Sequence, residues 1–459
     1  MTDIYADDIY ADLAWRGLVH QTTDDAFLPG WLREGCRTLY AGFDPTADSL
    51  HVGSLLPLMT LRRFQRAGHR PIAVVGGATG MIGDPSGKSE ERNLLSHEAL
   101  AANVEGIKTQ MLRFLDFGSN AECGMRNAEL AQRQTKSEFR IPNSAFPNAA
   151  ILVNNHDWMR DYSYLAFLRD VGKNFPVNVM LAKDSVKNRL ERGDTGLSYT
   201  EFSYMLLQAY DFVHLYRTYG CELQIGGSDQ WGNITAGIDL ARRMDGVQLY
   251  GMTHPLLLKS DGTKMGKTES GAIWLSARRT TPYKFYQYWI NVEDADAGTC
   301  LRFLTEVTRE EIESLDQLRQ TAPHQRDSQR RLAEELTRLV HGEDGLGRAR
   351  RATEVFFGKE IDGLSEAELT DIFADVPSKQ LPRGRLDGGG VNIVDALFEA
   401  GLAKSKSDAR RTVEQGGAYV NNRRIDSVDA SLTAAHLASQ TVMVLRAGRK
   451  KYALLRFVS

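Results

Sequence analysis

Residues 38–43 (Thr-Leu-Tyr-Ala-Gly-Phe) form a short apolar run stopped by Asp44-Pro45, the pattern of a buried strand that ends in a loop. From Val52 onward, Leu55, Leu56, Leu58, Met59, Leu61 and Phe64 recur at helical spacing, and Gly68 closes that helix. Pro71 leads into a second strand over 72–75, followed by a glycine-dense turn running from Gly76 to Lys88. Together these elements predict a βαβ unit with phosphate-compatible polar groups at its strand ends and at a helix N-terminus.

The rest of the chain extends this alternation. Residues 1–32 read as helical and amphipathic, with Leu13, Trp15, Leu18 and Val19 on one side. A helix is expected over 96–117, opened by Ser96 and stopped at Phe117-Gly118. A polar, irregular insertion follows to Asn148, then a strand over 150–154. Two helical stretches, 157–172 and 177–192, are rich in Tyr, Phe, Leu and Met; they either supply an oligomer contact or cover the sheet. The stretch 199–219 predicts a strong helix whose apolar side is Phe202, Met205, Leu206, Ala209 and Val213. Tyr204, Gln208 and Asp211 lie at steps of four and three, so they share one face. A strand at 221–225 then leads through Gly226–Asn233 into another helix, and 260–268 is a polar loop.

Strands alternating with helices predict an α/β fold with a Rossmann-like parallel sheet, over residues 1–260, carrying a helical insertion at about 118–192. Beyond Pro282 only helices are expected, so 261–357 is taken as the polar loop plus an all-helical domain. Residues 358–390, acidic and then Pro- and Gly-bearing, are expected to be a linker. A small α+β module closes the chain over 391–459, with helices at 393–399 and 406–415 and strands near 418–420 and 441–445.

Bulk properties fit this division. At 459 residues the chain suggests roughly three domains, and 42% apolar with 25% charged residues is ordinary for a soluble protein. Net charge is −3 overall, yet residues 391–459 hold 11 Lys+Arg against 6 Asp+Glu, +5 locally and −8 for the remainder. A basic module on an acidic body suits either nucleic-acid contact or an ordinary solvated surface. The four cysteines are scattered without metal-ligand spacing, which favours reduced thiols in the cytoplasm over disulfides or zinc. Neither an export signal nor a membrane span is expected.

Two nucleotide motifs fail by count. A P-loop ending at Gly87-Lys88 needs a glycine at Ile82, and Gly83 is one residue late. Gly76-Gly77-Ala-Thr-Gly80 likewise misses Gly-x-Gly-x-x-Gly. What remains are cations, Lys88 and Arg92, on a polar loop, and His51 just before a helix, where Gly53 allows close backbone approach. Individually each is weak.

The combination is not. His51-Val-Gly-Ser54 early and Lys264-Met-Gly-Lys267-Thr268 much later resemble the two signatures of class I aminoacyl-tRNA synthetases, His-Ile-Gly-His and Lys-Met-Ser-Lys-Ser. The segments Tyr40–His51, Gly76–Lys88, Thr200–Asp211 and Gln224–Asn233 look like those of bacterial-type tyrosyl-tRNA synthetases. The final module is similar to the ribosomal-protein S-four RNA-binding domain. Ser54 and Gly266 depart from the class patterns.

This resemblance implies activation of L-tyrosine by ATP, with Mg2+, followed by transfer to the 3′ end of tRNA(Tyr). It implies His51, Thr46, Lys88, Arg92, Lys264, Lys267 and Thr268 around the phosphates and pyrophosphate. It also implies Tyr40 and Asp211 on the tyrosine hydroxyl, Asp84, Tyr204 and Gln208 on its ammonium, and Gln230 on its carboxyl. ATP would further meet Gly42, Asp44, Gly53 and Ser54, with Gly227 and Asp229 on the ribose. A homodimer without a tightly bound cofactor or protein-held metal is implied too. The alternatives are a tryptophan-specific relative, a small-molecule nucleotidyltransferase and a silent RNA-binding paralogue; tyrosine-dependent ATP–pyrophosphate exchange separates them.

Overall fold

The computed structural model describes residues 8–84, 96–118, 148–183, 186–187, 197–268, 271–356, 358–361, 364–374, 376–448 and 451–458. The chain divides into two compact units: residues 1–280 with 290–340, and 281–289 with 341–459.

The first unit is built on a six-stranded sheet. Its strands are β1 (Gln21–Thr22), β2 (Thr38–Phe43), β3 (Arg70–Val75), β4 (Ile151–Asn154), β5 (Cys221–Gly227) and β6 (Tyr250–His254), in spatial order β1-β6-β5-β2-β3-β4. All neighbours run parallel except β1, which pairs antiparallel with β6. Five of the six β3 residues are buried, as a strand covered on both faces requires. From β2 the chain winds outward through β3 to β4, then returns to place β5 on the other side of β2. The reversal opens a crevice at the carboxyl ends of β2 and β5, where α/β sheets bind ligands.

Helix Leu55–Arg66 joins β2 to β3 with nine of its residues buried. Helix Tyr199–Tyr219 begins at Ser198, whose side chain accepts from the Glu201 N–H, and ends at Gly220 with φ 63°. Its inner face packs with Tyr40, Ile72, Val74 and Leu240 in one core. Two fully buried arginines, Arg16 and Arg63, donate to the carbonyls of Arg302 and Thr305 at the end of helix Asp294–Leu304, with Arg63 also reaching Phe303 and Arg16 reaching Val307. They satisfy carbonyls that a helix end leaves open.

Three expectations change in this unit. The N-terminal region is not one helix: Gly17, at φ 78°, ends helix Ile9–Arg16, and β1 intervenes before helix Leu28–Arg33. Among the described residues, the segments 157–172 and 177–192 hold the short helices His156–Met159, Tyr164–Asp170 and Val177–Leu181, interrupted by Ser163 and Pro176 at extended φ/ψ. The polar loop closes on itself as a two-residue ladder, β7 (Lys267–Thr268) against β8 (Gly271–Ala272).

Helix Asp327–Phe356 starts in the first unit and continues into the second; it is broken at Gly342 (φ 75°, ψ 178°), two residues after the first unit ends at Val340. The expected linker is instead structured. It carries helix Glu366–Ile372, with a Ser365/Glu368 capping box, and β9 (Ser378–Pro382). The module also holds β10 (Val391–Asn392), β11 (Ala418–Val420), β12 (Arg423–Arg424), β13 (Ser431–Leu432), β14 (Val442–Ala447) and β15 (Lys451–Val458). Its five-stranded sheet runs β12-β11-β14-β15-β9, with β9 parallel to β15, so the closing module starts well before residue 391. Alternate residues of β14 and β15 explain the recruitment. Met443, Leu445, Ala453 and Leu455 face helices Ile393–Glu399 and Lys406–Glu414, while Val442, Val444, Tyr452 and Leu454 face Leu369, Ile372 and Phe373. A sheet apolar on both faces needs cover on both.

Candidate active site

At the switch point lies a cavity of about 210 Å3, lined by the ends of β2 and β5, the Gly76–Asp84 turn and one face of helix Tyr199–Tyr219. Parallel pairing puts Tyr40 of β2 level with Ile72 and Gln224, so all three project to one face. Tyr40 is buried with its ring edge on Phe212, centroids 5.2 Å apart, yet its hydroxyl has no hydrogen-bond partner among the described residues. Gln224 Oε1, also buried, has none either. Burial, then the nearby Asp211, push the Tyr40 phenol well above its ordinary pKa. Both residues line the cavity, so a polar group bound there can satisfy atoms that are otherwise costly to bury.

Asp211 faces the same cavity. Its Oδ2 accepts from Asn155 Nδ2 at 3.0 Å and its Oδ1 from Trp158 Nε1 at 2.8 Å. Burial pushes its carboxyl up to about 7 against the opposing effect of those two bonds. Asn155 is itself over-determined: it donates to Thr79 Oγ1 at 2.9 Å and accepts from the Ala78 N–H at 2.7 Å. Next to it, Asn154 Oδ1 accepts from the Gly77 N–H at 3.1 Å, and a Cβ on Gly77 would lie 2.1 Å from that oxygen. Gly77 therefore serves close packing against the end of β4.

On the opposite side, Gln230 Nε2 donates to Asp84 Oδ2 at 2.7 Å, and Gln208 Nε2 donates to Gln230 Oε1 at 3.2 Å. Asn233 Nδ2 closes the chain by donating to Gln208 Oε1 at 3.0 Å. Tyr204 lines the cavity beside them. The result is an acceptor-rich wall with a carboxylate, suited to an ammonium group. Asp229 follows Gly227, and its carboxyl is raised by burial and then by Asp84, with Lys264 pulling the other way.

The His51 region forms a second cluster. The Val52 N–H donates to the Ile273 carbonyl at 3.0 Å, the Leu275 N–H to the Leu50 carbonyl at 2.8 Å, and His51 bridges Trp274, so the segment after the Lys264 loop runs along the first signature. His51 Nδ1 accepts from the Gly53 N–H at 2.9 Å, so the neutral ring carries its proton on Nε2 as a donor. Desolvation, then Lys264 and Lys267, lower the His51 pKa. Gly266 stands at φ +83°, and a Cβ there would lie 2.7 Å from Val52 Cβ. Glycine in place of the class serine thus fits the way this loop seats against Val52.

The cavity gathers Tyr40, Gly42, Asp44, Asp84, Tyr204, Gln208, Asp211, Gly227 and Gln230. His51, Gly53, Lys264 and Lys267 belong to the second cluster, with Asp229 between the two through Asp84 and Lys264. Ser54 begins helix Leu55–Arg66 without a side-chain cap bond, and Thr46 is exposed, its N–H on the Asp44 carbonyl. Lys88 and Arg92 lie outside the described residues, as does the Thr268 side chain. Reading the sequence gave no role to Asn155 and Trp158, nor to Thr79 and Gln224, which sit inside quoted segments. Asn233 sits inside a quoted segment, and Gln224 is a lone amide in an apolar strand, which is the signal that could have marked it.

Comparison with known proteins adds the following. Residues 33–358 match the family "tRNA synthetases class I (W and Y)", and residues 368–455 match the "Tyrosine--tRNA ligase SYY-like C-terminal domain". The chain is 57% identical to the tyrosine--tRNA ligase of Rhodopirellula baltica, over 97% of this chain and 95% of that protein. It is 50% identical to the tyrosine--tRNA ligase of Geobacillus stearothermophilus, over 98% and 100%. Among solved structures, the C-terminally truncated mitochondrial tyrosyl-tRNA synthetase of Aspergillus nidulans superposes with a TM-score of 0.63 at 30% identity, covering 76% of this chain and 94% of that one. The tyrosyl-tRNA synthetase of Archaeoglobus fulgidus, solved with L-tyrosine, matches at 0.51 and 16% identity over 74% and 100%, a likeness of fold.

Proposed function

The chain belongs to the tryptophan and tyrosine branch of class I tRNA synthetases, and we propose that it joins L-tyrosine to tRNA(Tyr) through a tyrosyl-adenylate made from ATP. The observation that carries this reading is the unpartnered Tyr40 hydroxyl beside the Asp211 carboxylate in one buried cavity. A phenol bound there meets both. Phenylalanine would leave them unpaired, and a site built on such bonds rejects the analogue without editing; a tyrosine-charging synthetase is the standing example of that rule.

In the first step the substrate's own carboxylate attacks the α-phosphate and pyrophosphate departs, so the protein supplies position and charge rather than a nucleophile. Asp84, Tyr204 and Gln208 hold the ammonium. Gln230 keeps one amide hydrogen on Asp84 and offers the other to the carboxylate. Gly227 and Asp229 take the ribose, with Gly42, Asp44, Gly53 and Ser54 lining the nucleotide. His51 Nε2–H, Thr46, Lys88, Arg92, Lys264, Lys267 and Thr268 neutralise the phosphates and the leaving pyrophosphate. ATP would bring Mg2+ with it, since that ion binds substrate phosphates.

The second step needs tRNA, and the basic excess of residues 391–459 supports contact through the closing module. A homodimer is part of this reading. Tyr164 (62% exposed), Leu165 (77%) and Tyr199 (61%) make an apolar patch, with the two tyrosine hydroxyls 3.4 Å apart. So is a cytoplasmic location, which suits the free buried thiols of Cys221 and Cys300; among the described residues no helix is long and apolar enough to cross a membrane. Tyrosine-dependent ATP–pyrophosphate exchange tests the proposal. Exchange driven by tyrosine supports it, and exchange driven by tryptophan or by no amino acid overturns it.

A further inference from the structure

Helix His156–Met159 is a single turn, so the plane of the Trp158 indole depends on what packs against it. That plane matters, because Trp158 Nε1 donates to Asp211 Oδ1 and an N–H bond weakens steeply when misaligned. Support comes from helix Tyr199–Tyr219. His214, one turn beyond Asp211, lays its ring on Trp158 with centroids 4.4 Å apart and planes 13° from parallel. Thr218 Oγ1 stands 3.4 Å from His214 Nε2, and Tyr210 flanks the imidazole at 6.5 Å. Burial and then Arg217 hold the imidazole neutral, with its pKa near 4, so the contact is an aromatic stack at neutral pH. Arg217 is in turn anchored by two bonds to Asp245, at 2.8 and 2.6 Å.

We propose that His214 is a positioning residue for the amino-acid specificity of this site: by stacking on Trp158 it aims the indole N–H at Asp211 and so holds the carboxylate towards the substrate phenol. His214 itself does not line the cavity. It acts through Trp158. A flat ring is what the position requires, and the hydrogen-bonding capacity of the imidazole is secondary.

The inference rests on the tyrosine reading above, and the test separates the two. In ATP–pyrophosphate exchange by the full-length wild type, absence of tyrosine dependence sinks the reading itself. Given that activity, His214→Leu removes the flat face at similar bulk, and His214→Phe keeps it. The leucine variant is expected to raise the KM for tyrosine about tenfold, the worth of one bond to a charged group, and to narrow the tyrosine/phenylalanine ratio, with the KM for ATP unchanged. The phenylalanine variant is expected to restore both. A leucine variant with the wild-type ratio, a rise in both KM values together, or equal losses in the two variants would each overturn the assignment. Thermal unfolding of both proteins identifies any loss that follows from misfolding, and Trp158→Phe must then reproduce the leucine phenotype in a folded protein.

Discussion

Asn155 Nδ2 lies 3.0 Å from Asp211 Oδ2, and the same amide is tied to Thr79 and to the backbone of the glycine turn. One buried side chain thereby couples the end of β4, the turn after β3 and the carboxylate on helix Tyr199–Tyr219.

A pH dependence follows. Burial outweighs the Asn155 and Trp158 bonds and pushes Asp211 up to about 7. A phenol O–H bonds best to the ionised carboxylate, so tyrosine binding favours that form and lowers its pKa in the complex. Tyrosine KM in pyrophosphate exchange is therefore expected to be flat above pH 7 and to rise towards tenfold per unit below it, while phenylalanine KM stays level. Asn155→Ala removes a bond that lowers the Asp211 pKa, so the break moves to higher pH. A break that stays put in Asn155→Ala assigns it to another group.

The Lys264 loop is constrained at Gly266. An alanine there meets both a left-handed φ of +83° and Val52 Cβ at 2.7 Å, a strain of about 1–3 kcal/mol. Gly266→Ala is expected to lower kcat for adenylate formation about tenfold or more with tyrosine KM unchanged, since the cavity is untouched. Single-turnover kinetics reads this directly; an unaltered rate would show that the loop works in a different seat from the one seen.

For the closing module, severing the chain near Gly388 is a poor test, because β9 lies upstream of the cut and pairs with β15 downstream. Charge reversal is cleaner. Arg410 and Lys451 are exposed, and the pair Arg410→Glu with Lys451→Glu is expected to raise the KM for tRNA and flatten its salt dependence. Pyrophosphate exchange should remain at the wild-type rate. Unchanged tRNA charging would place the RNA contact elsewhere.

How far these features could be read from residues alone depended on what kind of force holds each one. Helix 199–219 was legible to the residue because its signals are local: Ser198 caps it and Gly220 ends it. The face shared by Tyr204, Gln208 and Asp211 followed from spacing, and the cavity does collect all three. β9 was illegible because Ser-Lys-Gln-Leu-Pro buries only Leu381, and its strand state comes from the distant β15. Asn155 and Trp158 were missed because neither alternates with anything. Their importance lies in bonds to a residue more than fifty positions away. The roles drawn from resemblance reached Asp211 without the groups that orient it.

Tyrosine/phenylalanine discrimination by Tyr40→Phe, measured as the ratio of kcat/KM in pyrophosphate exchange, tests the central claim most directly. The hydroxyl has no partner among the described residues, so its removal should leave Tm unchanged or slightly raised. The ratio is predicted to fall about tenfold, through loss of activity with tyrosine. A ratio equal to the wild type, in a protein that folds and turns over, would contradict the reading of this cavity as a phenol site.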